Sequence, residues 1–252
     1  MVYHIIVDGQ HYVAKRFFEI GRGRDEVSIQ ENTTQLANEM IRLSQGRWFL
    51  NKFYERAQET AAEVSTGMLK LQYLHFPNGP SPASGVTMET FLESTSSDPT
   101  TAITWLLEPL RASSIERWSG TLQHPNHSNK PGETMDAFMH FSYVYSQETF
   151  VFADLQSSKG RTSSGKGASI LFDVMTHTLN ESSGVGDYGS EGITAILSEH
   201  TCGRICKGLD MGEQHTIVGR EEERRNAGKG ARKTRKGKGK RRANCRDSDS
   251  DL

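Results

Sequence analysis

The chain contains no apolar run near the roughly 20 residues a helix needs to cross a bilayer. Met1-Val2-Tyr3-His4 opens it without the basic and apolar regions of a secretion signal. Both absences argue against a membrane-spanning or secreted protein. Cysteine is scarce as well: Cys202, Cys206 and Cys245 are the only three, an odd number that builds no disulfide framework and suits a reducing compartment, cytoplasmic or nuclear. Apolar residues make up 35% of the chain and mean hydropathy is −0.61, low enough to imply disordered sequence beside the folded part. The 252 residues still suffice for a substantial core, in one large domain or two small ones.

A net charge of −1 conceals an asymmetry. From Arg224 to Leu252 there are 12 Lys/Arg against 3 Asp, and residues 1–223 hold 18 basic against 28 acidic groups. An acidic body is joined to a basic tail. In the tail, 11 of the 19 residues from 224 to 242 are basic and are spaced by Gly and Ala. With no apolar face it is not a membrane-lying helix. It suits a nuclear-import signal bound by an import receptor, nonspecific contact with nucleic-acid phosphates, or a solvated segment with no partner. Ser248 and Ser250 lie in an acidic context that suits phosphorylation.

Two strand-like runs, 3–7 and 11–18, flank Asp8-Gly9, a pair suited to a tight hairpin turn. Leu36, Met40, Leu43, Leu50, Phe53 and Ala57 then recur near 3.6 residues, as one helix or as two broken at Gly46. Residues 77–100 read as a polar loop, and 103–107 as a short buried strand ended by Pro109. A helix over 133–141 and a strand over 150–153 follow. Residues 157–168 read as mobile, 170–172 as apolar, and Ile193, Ile196, Leu197 and His200 as one helical face. The fold class is α+β with two lobes.

Four groups of residues could carry chemistry. His200-x-Cys202-x-x-x-Cys206 offers ligands that zinc prefers, with the cysteines spaced as on one helical face; two buried thiols beside an unrelated histidine fit the spacing equally. Asp154 and Gln156 after one strand and Asp173 after another suit Mg²⁺, or are solvated loop residues. Gly184-Val185-Gly186-Asp187-Tyr188-Gly189 has the form G-x-G-x-x-G without a βαβ unit around it, and reads as a weak nucleotide motif or a plain turn. Lys15 in Val13-Ala14-Lys15-Arg16-Phe17 can meet a phosphate, or simply face solvent from an edge strand.

Taken in order, these pieces resemble the atypical alpha-kinase family, the group of myosin heavy chain kinase and elongation-factor-2 kinase. The resemblance runs from about Val2 to Leu209 and is nearest to fungal members. Val13 to Phe17 resembles the family's phosphate-lysine strand, and Leu107-Glu108-Pro109-Leu110 its hinge. Ser119-Gly120-Thr121 and Ala137 to Phe141 resemble the approach to the catalytic strand, and 170–173 the metal-aspartate segment. The His/Cys triplet matches its zinc signature, and the family supplies His140 as fourth ligand.

The resemblance implies a two-lobed kinase fold, with a partial N-lobe and hinge at 1–110, a C-lobe at 111–212 and a disordered tail at 213–252. It implies a serine/threonine-protein kinase, an ATP-binding transferase acting on protein hydroxyls. Lys15 is expected on the ATP phosphates, Glu108 and Leu110 at adenine mostly through the backbone, and Asp154 on the substrate hydroxyl. Gln156 and Asp173 are expected to hold Mg²⁺, with Asp173 counted among the catalytic residues, and His140, His200, Cys202 and Cys206 a structural Zn²⁺. The pattern departs from the family where DLQG reads Asp154-Leu155-Gln156-Ser157, and where Phe172 and Val174 flank Asp173. The first N-lobe strands are expected to be missing. A catalytically inactive alpha-kinase fold used as a binding or regulatory module is the second reading.

Overall fold

The structure, a computed structural model, describes residues 2–16, 27, 29–65, 74–76, 104–111, 114–124, 127–161 and 167–211. The basic tail, the polar loop at 77–100 and the middle of the linker after Arg161 lie outside the described residues, as do Phe17, Ile103 and Cys245. The described residues, up to Met211, belong to one compact unit. No helix among the described residues is long and apolar enough to cross a membrane.

The chain begins with a hairpin, β1 (Val2–Val7) and β2 (Gln10–Lys15). Its turn places Asp8 at φ 49° and Gly9 at φ 76°, two successive left-handed residues of the kind that matches strand twist. β3 (Leu74–Phe76) and β4 (Trp105–Pro109) complete an antiparallel sheet in the order β1-β2-β4-β3. Ala14, Trp105 and Leu107 form the core on one of its faces, covered by Tyr3 and Ile5. By strand alternation Val13 and Lys15 face the other way. Pro109 does not end the strand before it; it is the last residue of β4.

Between β2 and β3 runs α1 (Ile29–Glu59), one unbroken helix of 31 residues through Gly46. Leu36, Leu43, Leu50 and Phe53 are buried along it, and that apolar seam continues on both sides of the glycine. α2 (Lys130–Tyr145) extends beyond the expected 133–141. Asn129 caps it, its side chain accepting from the Gly132 N–H at 2.8 Å. Phe53 packs edge-on against Phe138 and Phe141, and Phe138 stacks on Phe152 of β6 (Phe150–Ala153), which makes an aromatic core next to the strand that leads into Asp154.

β5 (Ile115–Arg117), β7 (Gln156–Arg161) and β8 (Gly167–Phe172) form a second antiparallel sheet, and β6 pairs with β9 (Met175–Thr178). Two readings are corrected here. The stretch from 157 onward is strand as far as Arg161, because Ser157 and Ser158 are buried and Ser157 accepts the Trp118 indole N–H at 2.9 Å. α3 (Gly189–Ser198) stops before His200, and the short α4 (Arg204–Gly208) holds Cys206 alone. The two cysteines therefore do not share a helical face.

Candidate active site and metal centre

Lys15 projects from the open face of the first sheet into a group of carboxylates. Its ammonium lies 2.8 Å from Glu108 Oε1 and 3.7 Å from Glu39 Oε1, and it contacts Asp173 Oδ1. Glu108 comes from β4, where it pairs with Val13, and its second oxygen accepts from Arg111 Nη2 at 2.8 Å. Glu39 comes from α1. Burial opposes the charge on Lys15, but Glu108, then Asp173 and Glu39, outweigh it and raise its pKa above the ordinary value. Burial also pushes Glu39 up; Lys15 offsets part of that and the neighbouring carboxylates add to it.

Asp154 follows β6 and Asp173 follows β8, both on left-handed backbone at φ 48° and 49°. Asp is among the few residues other than glycine that tolerate that region. Held strain of this kind concentrates at functional sites. The segment before α2 fixes the first aspartate: the Asp154 N–H donates to Gly120 O at 3.0 Å, the Leu155 N–H to Ser119 Oγ at 2.9 Å, and the Trp118 N–H to Leu155 O at 2.8 Å. Burial raises the Asp154 carboxyl above its usual range, Arg117 offsets part of this, and Asp173 adds to it. Gln156, largely buried, sits opposite Phe172, so Gln156 and Asp173 lie at the same end of the β7–β8 pair. The serine at 157 in place of glycine is accounted for by its bond to Trp118.

Contacts from two residues tie down the hinge segment. Glu108 sends a buried side chain to Lys15 and Arg111. The Leu110 N–H, expected at adenine, donates to His11 O at 2.9 Å.

The glycine-rich loop is built around Asp187. Its carboxylate accepts from the backbone N–H groups of Thr178, Ser183 and Gly189 and from the hydroxyls of Thr178 and Ser183, at 2.7–3.0 Å. Burial opposes ionisation, but these hydrogen bonds hold its pKa below the ordinary value. Gly184, Gly186 and Gly189 all have positive φ, and a side chain at Gly184 would meet Arg42 and Asn38 of α1. Arg42 donates to Ser183 O, which ties α1 to the loop. His177, fully buried, joins the loop to the segment before α2: Nε2 bonds Thr121 O at 2.7 Å and Nδ1 accepts the Tyr188 N–H at 3.1 Å.

His140, His200, Cys202 and Cys206 come together on the far side of α2, with their potential ligand atoms within 4.8 Å of one another. Cys202 Sγ lies 3.7 Å from His140 Nδ1 and 3.6 Å from His200 Nε2, and Cys206 Sγ lies 3.7 Å from His200 Nε2. The other nitrogen of His200 bonds Asp136 Oδ1 at 2.8 Å, and His124 Nε2 meets the same oxygen at 2.7 Å. Burial, then the charge of His200, lowers the His140 pKa to about 4, leaving its ring neutral. Burial foremost pushes the Cys206 thiol up to about 12.

Sequence reasoning missed Glu39, Arg42, Asp136, His124, Asp187's carboxylate and His177. Glu39 and Arg42 left a signal, because they interrupt the helical face that carries Leu36 and Leu43. His177 left none beyond its type.

Lys15 thus meets carboxylates from three segments, Glu39 of α1, Glu108 of β4 and Asp173 after β8. The chain belongs to the alpha-kinase family, a group of ATP-dependent protein kinases whose norm is serine/threonine, and the family model matches residues 1–206. No curated protein matches the chain by sequence. Among solved structures, an alpha kinase from Entamoeba histolytica matches at 18% identity over 85% of this chain and 74% of its own, with a TM-score of 0.61. The apoenzyme alpha-kinase domain of myosin-II heavy chain kinase A matches at 18% identity over 82% of this chain and 66% of its own, TM-score 0.53. The same kinase domain in complex with AMP matches at 18% identity over 81% and 67%, TM-score 0.54. These likenesses establish the alpha-kinase fold.

Proposed function

We propose that the chain binds ATP with magnesium between the β1–β4 sheet and the ends of β6 and β8, and transfers the γ-phosphoryl group to serine or threonine hydroxyls of a protein. The observation that carries the reading is the contact of Lys15 with Asp173, which joins a phosphate-binding cation to a metal-binding carboxylate. Lys15 holds the nucleotide phosphates. Asp154 orients the acceptor hydroxyl and takes its proton as the oxygen–phosphorus bond forms and ADP leaves; its raised pKa makes it the better base. Glu108, paired with Arg111, keeps Lys15 in place.

The donors suit magnesium. Glu39, Glu108 and Asp173 crowd one ammonium, more negative charge than a single lysine neutralises, and all the donors are oxygen. Gln156 and Asp173 would hold the ion. When bound it neutralises charge on the migrating phosphoryl group.

Zinc fits the His/Cys cluster. Zn–S of ~2.3 Å and Zn–N of ~2.0–2.1 Å in a tetrahedron separate sulfur from nitrogen by about 3.6 Å. The three sulfur–nitrogen distances here are 3.6–3.7 Å. Four protein ligands leave no open position, so the role is structural. The division into an N-lobe with hinge to residue 110, a C-lobe to 212 and a tail belongs to the same reading. The tail would serve import into the nucleus or nonspecific contact with nucleic acid.

Nucleotide binding tests the proposal. Mg-ATP should raise the melting temperature of the wild type and leave that of Lys15→Ala unchanged, and Asp173→Ala should lose the magnesium-dependent part of the shift. No shift at saturating ATP would favour the second reading, an alpha-kinase fold that binds partners without catalysis.

A further inference from the structure

The open face of the first sheet carries more than Lys15. In the β1–β2 register His4 lies opposite Val13 and His11 opposite Ile6. Directly opposed residues share a face, and so do alternate residues along a strand. Lys15, Val13, His11 and His4 therefore all look into the side of the sheet where Asp173 and Glu39 meet Lys15. His11 is four residues from Lys15, about 13 Å along an extended strand, which leaves room for a nucleoside between its base end and its phosphates. The hinge is tied to that base end, since the Leu110 N–H donates to His11 O.

The two imidazoles are exposed and form a single flat surface. Their rings are nearly parallel, 9° apart, with centroids separated by 5.0 Å. His4 Nε2 lies only 2.8 Å from His11 Nδ1. Rings stacked face to face could not bring two nitrogens that close, so the pair lies edge to edge. A hydrogen bond joins the rings whichever histidine donates. The result is a plate two aromatic rings wide, the breadth of a purine, exposed among the described residues.

We propose that the His4–His11 pair is the stacking platform for the purine base of the bound nucleotide, with Val13 beside it. The inference rests on the nucleotide reading above and adds the element that grips the base. It also accounts for the hinge: with the Leu110 N–H given to His11, recognition of the base shifts from backbone hydrogen bonds toward stacking. Stacking tolerates any purine because every base has a π-face. ATP and GTP are therefore expected to bind with similar affinity.

The test compares two probes on the full chain, ATP and inorganic tripolyphosphate, each with magnesium. Replacing both histidines by alanine should weaken ATP about tenfold or more, the scale of losing a base-stacking partner. Tripolyphosphate, which has no base, should bind the variant as it binds the wild type. Replacing both by phenylalanine, which keeps the π-surface and removes the nitrogens, should restore ATP binding. Lys15→Ala should weaken both probes. Since both side chains are exposed, the melting temperature should not move. Equal ATP affinity in wild type and double-alanine variant would overturn the platform while leaving the nucleotide site standing. So would failure of the phenylalanine pair to restore binding in a folded protein. A wild type that bound neither probe would overturn the nucleotide site and the platform with it.

Discussion

The cleft around Lys15 and the cluster around His200 are both polar assemblies drawn from distant parts of the chain, and they are built on opposite principles. The cleft gathers charge of both signs: three carboxylates meet Lys15, one of them also pairs with Arg111, one is pushed toward its neutral form, and two aspartates sit on left-handed backbone. The His/Cys cluster is compact, two of its four residues are fully buried, and it is braced from outside by Asp136. A site that must receive charged reactants keeps charge waiting. A site that only joins two segments closes on itself.

The largest effect should come from the closed cluster. Cys206→Ser, or removal of metal by a chelator, should cost on the order of 5 kcal/mol or more of stability, since structural zinc contributes about 10–16 kcal/mol of binding free energy in small domains. Melting temperature and zinc content, measured together, check this. A metal-free wild type with unchanged melting would erase the contrast.

In the cleft the expectation reverses. Asp154→Asn should lower phosphorylation by about 10²–10⁴-fold, the usual worth of a positioned base, without lowering the melting temperature. The sign follows from the raised pKa. The folded state holds the proton more tightly than the unfolded state does, so the ionised carboxylate costs stability at neutral pH and asparagine removes that cost. Asparagine also tolerates the left-handed backbone at φ 48°. By the same shift, wild-type activity should begin to fall, as pH is lowered, above the range of an ordinary aspartate. A destabilised Asp154→Asn would put Asp154 with the structural cluster.

Asp187 sharpens the distinction, because its carboxylate is held by hydrogen bonds from backbone N–H groups and hydroxyls. Asp187→Ala should cost about 2–3 kcal/mol in urea unfolding at pH 7. Its folded pKa is lowered, so the stabilisation is present above the unfolded value of about 3.9 and is lost as pH falls through the folded one. The gap between variant and wild type should therefore narrow in acid, and a gap independent of pH would deny the carboxylate its role. The smallest effect is steric. A methyl at Gly192 would overlap the His177 ring, so Gly192→Ala should cost about 1–3 kcal/mol, read as a drop in melting temperature.

What could be read from the sequence was what local chemistry dictates. The Asp8-Gly9 hairpin, the apolar seam of α1 and the aspartates after strands all announce themselves within a few residues. The zinc-type triplet did so too, although its geometry did not: the spacing of Cys202 and Cys206 suggested one helix, while Cys202 lies ahead of the short α4 that holds Cys206. The illegible parts depend on partners far away. Ser157 and Ser158 look like a mobile linker until Trp118 and a neighbouring strand bury them. Met175-Thr176-His177-Thr178 shows no strand pattern because β9 is stabilised by pairing with β6 and by hydrogen bonds from His177, with little apolar burial of its own. Glu39 shows only as a polar break in the apolar face of α1, and its partner is hidden until the sheet brings Lys15 to it.

The continuity of α1 through Gly46 has a mechanical consequence. At about 1.5 Å per residue, roughly 25 Å of helix separates Glu39, at the lysine, from Arg56, whose guanidinium holds the Leu209 carbonyl just beyond α4. An unbroken rod between those points has no joint at which to absorb displacement. Glu39 and the anchor point after Cys206 are therefore held at a fixed separation, like two marks on one ruler.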